Sequence, residues 1–156
     1  MLKVSFKDEP DYYYYAIFNC ADAIEENALT VVSRFSLLVP DGFKKTREKN
    51  STGEIRLRDA NYVTPVSITV TTTKPTSEVK ITNGRQTISF TGIYEGAKDI
   101  VIEFKQDEVN ATYKNRSILS ELDLFSDLEN FKVRNFDTIT ATNATVKEVV
   151  WRDERL

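Results

Sequence analysis

Alternation with a period of two, in short runs broken by turn residues, is what most limits how this chain can fold. Successive side chains of a strand point to opposite faces, so such runs bury one face and leave the other wet. Residues 2–6 place Leu2, Val4 and Phe6 on one face. Residues 12–18, Tyr12-Tyr13-Tyr14-Tyr15-Ala16-Ile17-Phe18, are aromatic on both alternating faces. Residues 29–39 place Leu29, Val31, Phe35, Leu37 and Val39 together. Asp8-Glu9-Pro10-Asp11 supplies a turn after the first run, and Ala21 to Asn27 a connection after the second. The spacing predicts a small antiparallel β-meander over residues 1–40.

Pro40-Asp41-Gly42 then breaks the third run, and Phe43 to Gly53 carries Lys44, Lys45, Arg47, Glu48 and Lys49 without apolar periodicity. Residues 41–53 are expected to be a linker or long surface loop, its charges solvated. The sharper alternative is a patch for an anionic partner.

Short strands resume over residues 54–156. Val66, Ile68 and Val70 alternate; Val79 and Ile81 precede Asn83-Gly84, and Ile88 and Phe90 follow it. Asn-Gly between alternating runs signals a hairpin, because both central positions of a type I′ turn need positive φ. Gly92 and Gly96 bracket a further turn. Ile100, Ile102 and Phe104 form the next run, with Val101 on the other face, then Val109, Ala111 and Tyr113. Phe131, Val133 and Phe136 lead toward Thr138-Ile139-Thr140, and Val146 to Trp151 closes the series. Between Ser117 and Leu128, Leu119, Leu122 and Phe125 sit at helical spacing, enough for one or two helical turns. The fold class expected is all-β, an antiparallel β-sandwich preceded by the meander.

Composition narrows the chemistry. Over 156 residues the chain is 40% hydrophobic, with nine Phe, seven Tyr and one Trp, enough to bury a real core. A net charge of −3 argues against a nucleic-acid footprint, which needs a concentrated basic face. There is no histidine, hence neither the commonest general base nor the commonest transition-metal ligand. The single cysteine, Cys20, has no pair for a disulfide or zinc and no histidine to activate it; it is expected to be a buried thiol. No glycine-rich phosphate loop and no Gly-x-Ser-x-Gly elbow occurs. The 24 acidic residues leave a two-carboxylate glycosidase possible by composition, but they fall mainly in turns and on polar strand faces. No enzyme, cofactor or metal is expected.

No run approaches the roughly 20 apolar residues that span a bilayer, and Met1 to Pro10 has no signal-peptide core. Synthesis in a cytoplasm is expected, with no membrane partner. The sequons at Asn50, Asn110, Asn115 and Asn143 then reflect Asn- and Thr-rich composition.

Two features invite a site. The Tyr12, Tyr13, Tyr14, Tyr15 run offers an aromatic face on each side of its strand. Either both faces pack in a core, or one is a self-association surface, since tyrosine is favoured at interfaces. Trp151 either packs in the core or serves as a sugar-stacking platform.

Several segments together resemble one family. Lys3-Val4-Ser5-Phe6-Lys7-Asp8-Glu9-Pro10-Asp11-Tyr12-Tyr13-Tyr14-Tyr15-Ala16 resembles the Asp-Glu-Pro-Asp-x-Tyr-Tyr-Tyr segment of phage distal tail proteins. There a connection and a strand follow, ending in Pro-Asp, here Pro40-Asp41. Ile81-Thr82-Asn83-Gly84 and Asp99-Ile100-Val101-Ile102 fall where that family has its Thr-Asn-Gly hairpin and its Asp-x-Val/Leu-Ile strand. Val149-Val150-Trp151-Arg152-Asp153-Glu154-Arg155-Leu156 is similar to the family's closing valine-rich strand and Trp/Phe-Arg-Asp-x-x-Leu. The resemblance runs in order along essentially the whole chain.

It implies the closing strands of a ring domain in residues 1–40, without that domain's earlier strands and helix. It implies a galectin-like β-sandwich in residues 54–156. By the same resemblance the protein is a virion structural component at the tail tip of a siphovirus, made in the bacterial host cytoplasm. It would join the tail tube to the baseplate or receptor-binding device. The partners implied are other tail or baseplate proteins and further copies of the chain, a hexamer where the ring domain is whole. The family lends no catalytic residue. The alternative function is a carbohydrate-binding module for host cell-wall saccharide. Exposed aromatics grouped with Asn, Asp or Arg on one sheet would favour that module, and buried ones the scaffold.

Overall fold

The computed structural model describes residues 1–21, 25–27, 30–32, 35–105 and 108–155. Apart from one 3₁₀ turn, every regular element among them is a strand, as the alternation predicts. The chain forms two compact units. One is Met1–Arg47 joined by the last strand, and the other is Glu48–Asp153.

The first unit comprises β1 (Leu2–Val4), β2 (Tyr12–Ala21), β3 (Glu25–Asn27), β4 (Thr30–Val32), β5 (Phe35–Leu38) and β6 (Lys44–Thr46). β2 pairs antiparallel with β1, with β5 and with β6, and β3 pairs with β4. A bulge between Phe18 and Cys20 shifts the register within the pairing of β2 with β5. At the Pro40-Asp41-Gly42 turn, Gly42 has φ 69° and its N–H donates to the Val39 carbonyl, while Asp41 Oδ1 accepts from Phe43 N–H. The side chains of Cys20, Leu29 and Val31 lie outside the described residues, so the buried thiol is not placed.

The second unit begins with β7 (Lys49–Ser51) and β8 (Tyr62–Val63). The expected linker over 41–53 therefore contains β6 and β7. Its lysines are not a free run of charge: they sit on strands and find carboxylates, Lys44 at Glu9, Lys45 at Asp41 and Glu154, Lys49 at Asp153. Short polar strands bury too little apolar surface to show a period in the sequence.

The strands that follow are β9 (Ser67–Thr72), β10 (Thr76–Thr82), β11 (Thr87–Tyr94), β12 (Asp99–Phe104), β13 (Val109–Tyr113) and β14 (Arg116–Ser117). β15 (Val133–Arg134), β16 (Thr140–Thr142) and β17 (Ala144–Trp151) complete the unit. β18 (Glu154–Arg155) belongs to the first unit, where it pairs with β6. One sheet runs β14-β13-β12-β9-β17-β7, a second β11-β10-β16, and β8 pairs with β15. Their inner faces meet in one core. Ile68, Val70, Ile100, Ile102 and Val149 come from the first sheet and Val79, Ile81, Ile88, Phe90 and Tyr94 from the second; Phe131 and Val133 join them. This is an antiparallel β-sandwich.

Local chemistry sets register. In β17 the pairing with β9 slips between Val146 and Glu148, so Lys147 is an extra residue. The slip moves the inward phase from Ala144 and Val146 to Val149 and Trp151, which the plain alternation of 146–151 hides. Between Ser117 and Leu128 only Leu119–Glu121 is helical, a 3₁₀ turn. The chain then runs extended along β11: Asp123 N–H donates to the Ser89 carbonyl and Asp127 N–H to that of Thr87. The apolar residues of 118–128 thus share no face. Ile118 and Leu128 are buried, while Leu124 and Phe125 are fully out. Phe136, expected to extend a strand, sits at a turn with φ 68° and is exposed.

The Asn83-Gly84 hairpin is present between β10 and β11, but not as a two-residue type I′ turn. Only Gly84 has positive φ, 85°. Asn83 works through its side chain. Oδ1 accepts from the N–H groups of Arg85 (2.9 Å) and Gln86 (2.8 Å), and Nδ2 donates to the Lys132 carbonyl (2.8 Å). Asn83→Ala is expected to cost about 2–3 kcal/mol, because the Lys132 carbonyl and two turn amides lose their buried partner. Urea titration of both proteins measures it; a change below about 0.5 kcal/mol would contradict the role.

Candidate functional site

The residues singled out in the sequence fall differently in the structure. Tyr13 is buried, and Tyr12, Tyr14 and Tyr15 are half-buried. Strand alternation puts Tyr13 and Tyr15 on one face and Tyr12 and Tyr14 on the other. On the first face the Tyr13 and Tyr15 rings meet edge-on at 5.3 Å and Lys3 Nζ lies 4.0 Å over Tyr13. On the second, Phe6 packs edge-on against Tyr14 at 5.8 Å, and Lys44 lies over Tyr12. The Tyr14 hydroxyl donates to Glu9, whose carboxylate also takes Lys44. The lysine holds the Glu9 carboxyl below the ordinary carboxylate range, against the opposing effect of burial. Much of the tyrosine surface is thus engaged within its own sheet.

The exposed apolar surface of this unit lies further along the same strand. Ile17, Phe18, Phe35 and Leu38 are 45%, 53%, 63% and 54% exposed. Ile17 is the cross-strand partner of Leu38, and the Phe18 and Phe35 rings stack at 6.1 Å. Alternation puts Ile17 and Phe18 on opposite faces, so both sides of this β2–β5 pair present apolar groups to solvent. Monomeric proteins rarely leave such a cluster uncovered.

Trp151 is 3% exposed and belongs to the sandwich core. It shows no ring face on which a sugar could stack, which corrects the stacking expectation for that residue.

A second apolar feature is the loop tip that follows the 3₁₀ turn Leu119–Glu121. Leu124 and Phe125 are 98% and 92% exposed. The turn carrying them is held firmly. Asp123 Oδ1 accepts from Phe125 N–H, and Ser126 N–H donates to the Asp123 carbonyl. Ser126 Oγ both accepts from Ser89 N–H and donates to its carbonyl. Two large apolar side chains on a pinned turn form a knob, flanked by Asp123 and Asp127. The only sequence signal for it was Leu-Phe between acidic turn residues.

The polar clusters are structural. Asp137, 9% exposed, receives both terminal nitrogens of Arg85 at 2.8 and 2.6 Å and the Arg134 N–H at 2.8 Å. Burial alone would raise its pKa, but these donors outweigh it and leave the carboxyl below its ordinary 3.8. The Lys147 ammonium and Thr71 hydroxyl lower Asp99 in the same way. A carboxyl whose folded pKa is depressed contributes stability that is present above the unfolded pKa and lost as pH falls through the folded one. Stability is therefore expected to fall as pH drops below about 4, and Asp137→Asn to make that acid limb shallower. Chemical denaturation between about pH 2.5 and 6 measures it; an unchanged slope would contradict the assignment. Among the described residues no group of three Cys, Asp or Glu side chains is placed to hold a metal ion. No helix among them is long and apolar enough to cross a membrane.

No family model matches the chain, and no curated protein does. Among solved structures, it is similar to the crystal structure of SPP1 Dit (gp 19.1), described as a paradigm of the hub adsorption apparatus in phages that infect Gram-positive bacteria. The TM-score is 0.72 at 14% identity, covering 99% of this chain and 65% of that one. At that identity the likeness speaks for the fold: this chain is all-β along the course of the hub protein, over about two-thirds of its length.

Proposed function

We propose that this chain is a structural protein of a bacteriophage tail tip, without catalytic activity, that links the tail tube to the baseplate or receptor-binding device. The observation that carries the reading is the likeness to a phage hub protein over nearly the whole chain. The ordered resemblance of its segments to distal tail proteins supports it independently. In this reading residues 1–40 are closing strands of a ring domain and residues 54–156 its galectin-like sandwich. The protein then resides in the virion. Its partners are other tail proteins and further copies of itself, the copies meeting through the first unit. Antibody raised against the purified chain should decorate the tail tips of virions produced from the same genome. Gold on heads, along tail shafts, or nowhere on the virion would overturn the proposal.

The Leu124–Phe125 knob suits the same role, because an exposed apolar pair held on a rigid turn is ready to enter a neighbour's pocket. Replacing both with serine is expected to leave stability within about 0.5 kcal/mol, since neither packs in the core. Incorporation of the chain into virions should drop sharply. Normal incorporation of the folded double variant, quantified by immunoblot of purified particles, would remove the knob from the interface.

A further inference from the structure

One cleft of the sandwich is neither core nor part of the apolar surfaces above. It is lined by Tyr62, Arg85, Gln86, Asn130, Lys132 and Arg134, with a volume of about 310 Å³. Its construction follows from strand alternation. In the β8–β15 pair Val63 faces Val133 and both are buried, so Tyr62 and its cross-strand partner Arg134 must point outward. Lys132, two residues from Arg134, shares that outward face, and its ammonium lies 4.6 Å above the Tyr62 ring. Tyr62 remains 53% exposed.

The far wall is the Asn83 turn, and it is held in place. Gln86 spends its side chain on the backbone: Oε1 accepts from Lys132 N–H and Nε2 donates to the Asn130 carbonyl. Arg85 is fixed by its two bonds to Asp137. The floor and wall are thus set before any ligand arrives.

The charge is unbalanced. Three cations meet one carboxylate, Asp137, and both of its oxygens are already occupied. Elsewhere in the sandwich lysines and arginines commonly meet an acid: Lys80 with Glu78, Lys114 with Glu95, Arg116 with Glu121 and Lys147 with Asp99. Among the described residues Lys132 and Arg134 make no such pair. Lys132, with no acid in salt-bridge reach among the described residues, and Arg134, near only the already occupied Asp137, lie beside a half-exposed aromatic ring in a preformed concave surface and suit a small anion that also carries a flat apolar face.

We propose that this cleft binds a negatively charged saccharide unit, its phosphate or carboxylate between Lys132 and Arg134 and its ring against Tyr62. Asn130 and Arg85 also line the cleft and bring amide and guanidinium groups for the hydroxyls. A nucleic-acid strand is disfavoured, because three cations on a chain of net charge −3 make no track for a polyanion. The inference does not rest on the tail-tip reading. A scaffold without sugar affinity, or a sugar-binding module outside a virion, are separate results.

The test is NMR titration of the full ¹⁵N-labelled chain with glucose 6-phosphate, glucuronate, glucose, inorganic phosphate and a short single-stranded oligonucleotide. One or both anionic sugars should shift signals of residues 62, 85–86 and 130–134, the better one binding at least about tenfold more tightly than glucose and than inorganic phosphate. A response to only one of them tells a phosphate from a carboxylate site. The double variant Lys132→Gln, Arg134→Gln should lose at least about tenfold in affinity while its other signals stay in place. Tyr62→Ala should erase the preference for sugar phosphate over inorganic phosphate. The proposal falls if neither anionic sugar shifts these signals at about 10 mM. It falls equally if glucose or inorganic phosphate binds as well, if the oligonucleotide binds better, or if the folded double variant binds unchanged.

Discussion

Gly53→Ala is expected to cost about 3–5 kcal/mol, more than most single substitutions away from a large core side chain. Gly53 is buried, and its φ of 134° is a conformation that side-chain-bearing residues rarely adopt. A Cβ there would lie 2.8 Å from the Ile139 carbonyl oxygen, which is backbone and cannot swing aside. Gly53 is also bonded on both sides, its carbonyl accepting from Ile139 N–H and its N–H donating to Ser51 Oγ. The strain of the backbone and the shift forced on residue 139 therefore add. The shift would spread, because residues 53–55 and 136–139 lie side by side. Ile55 N–H donates to the Asp137 carbonyl and Phe136 N–H to that of Ile55. Ile55, with no exposed surface, would be dragged with them. The urea midpoint should fall with an unchanged slope. A loss below about 1 kcal/mol would mean that the segment relaxes freely and that this account of its register is wrong.

That glycine was invisible as a constraint in the sequence, where it looked like the end of a linker, and the reason is general to this chain. Strands with a buried face could be read because Ile68 and Val70, or Ile100 and Ile102, repeat their burial every second residue. β6 and β7 could not, since Lys-Lys-Thr and Lys-Asn-Ser are recruited to sheets by backbone pairing and by carboxylates distant in sequence. The hairpin at Asn83 was legible, but for a reason that only half applies. Gly84 supplies the positive φ, whereas Asn83 caps the turn with its side chain. In 118–128 the helical spacing of apolar residues was accidental. Ile118 and Leu128 go inward while Leu124 and Phe125 go out, a division set by pairing with β11. Trp151 was open to two readings, and the Lys147 bulge settles it by turning the ring into the core. The cleft at Tyr62 had no local signature, because its cations arrive from Lys132 and Arg134 at and just before β15 and from the Asn83 turn.

The isolated chain is expected to self-associate through its first unit, and Phe18→Ser with Phe35→Ser to weaken that association by at least about 100-fold. Self-association was anticipated at the tyrosine run, but those rings already engage lysines and one another. The uncovered surface is Ile17 and Leu38 on one side of β2 and the stacked Phe18 and Phe35 on the other. Fully covering an exposed phenylalanine side chain is worth about 1.5–3 kcal/mol, and only about half of each ring is left to cover, so the two contribute about 1.5–3 kcal/mol per copy and about 3–6 kcal/mol in a contact made by both copies. At about 1.4 kcal/mol per factor of ten this spans two to four decades in the dissociation constant. The substitutions should leave the fold intact, since both rings are already more than half exposed and neither belongs to the sandwich core. Light scattering across a concentration series measures the effect. The Leu124, Phe125 double serine variant serves as a control that should keep the parent's oligomeric state, because its apolar pair lies in the other unit. If the Phe18, Phe35 variant associates as strongly as the parent, the contact between copies does not run through this face. If the parent is a monomer throughout the series, the first unit holds no contact between copies of this chain alone.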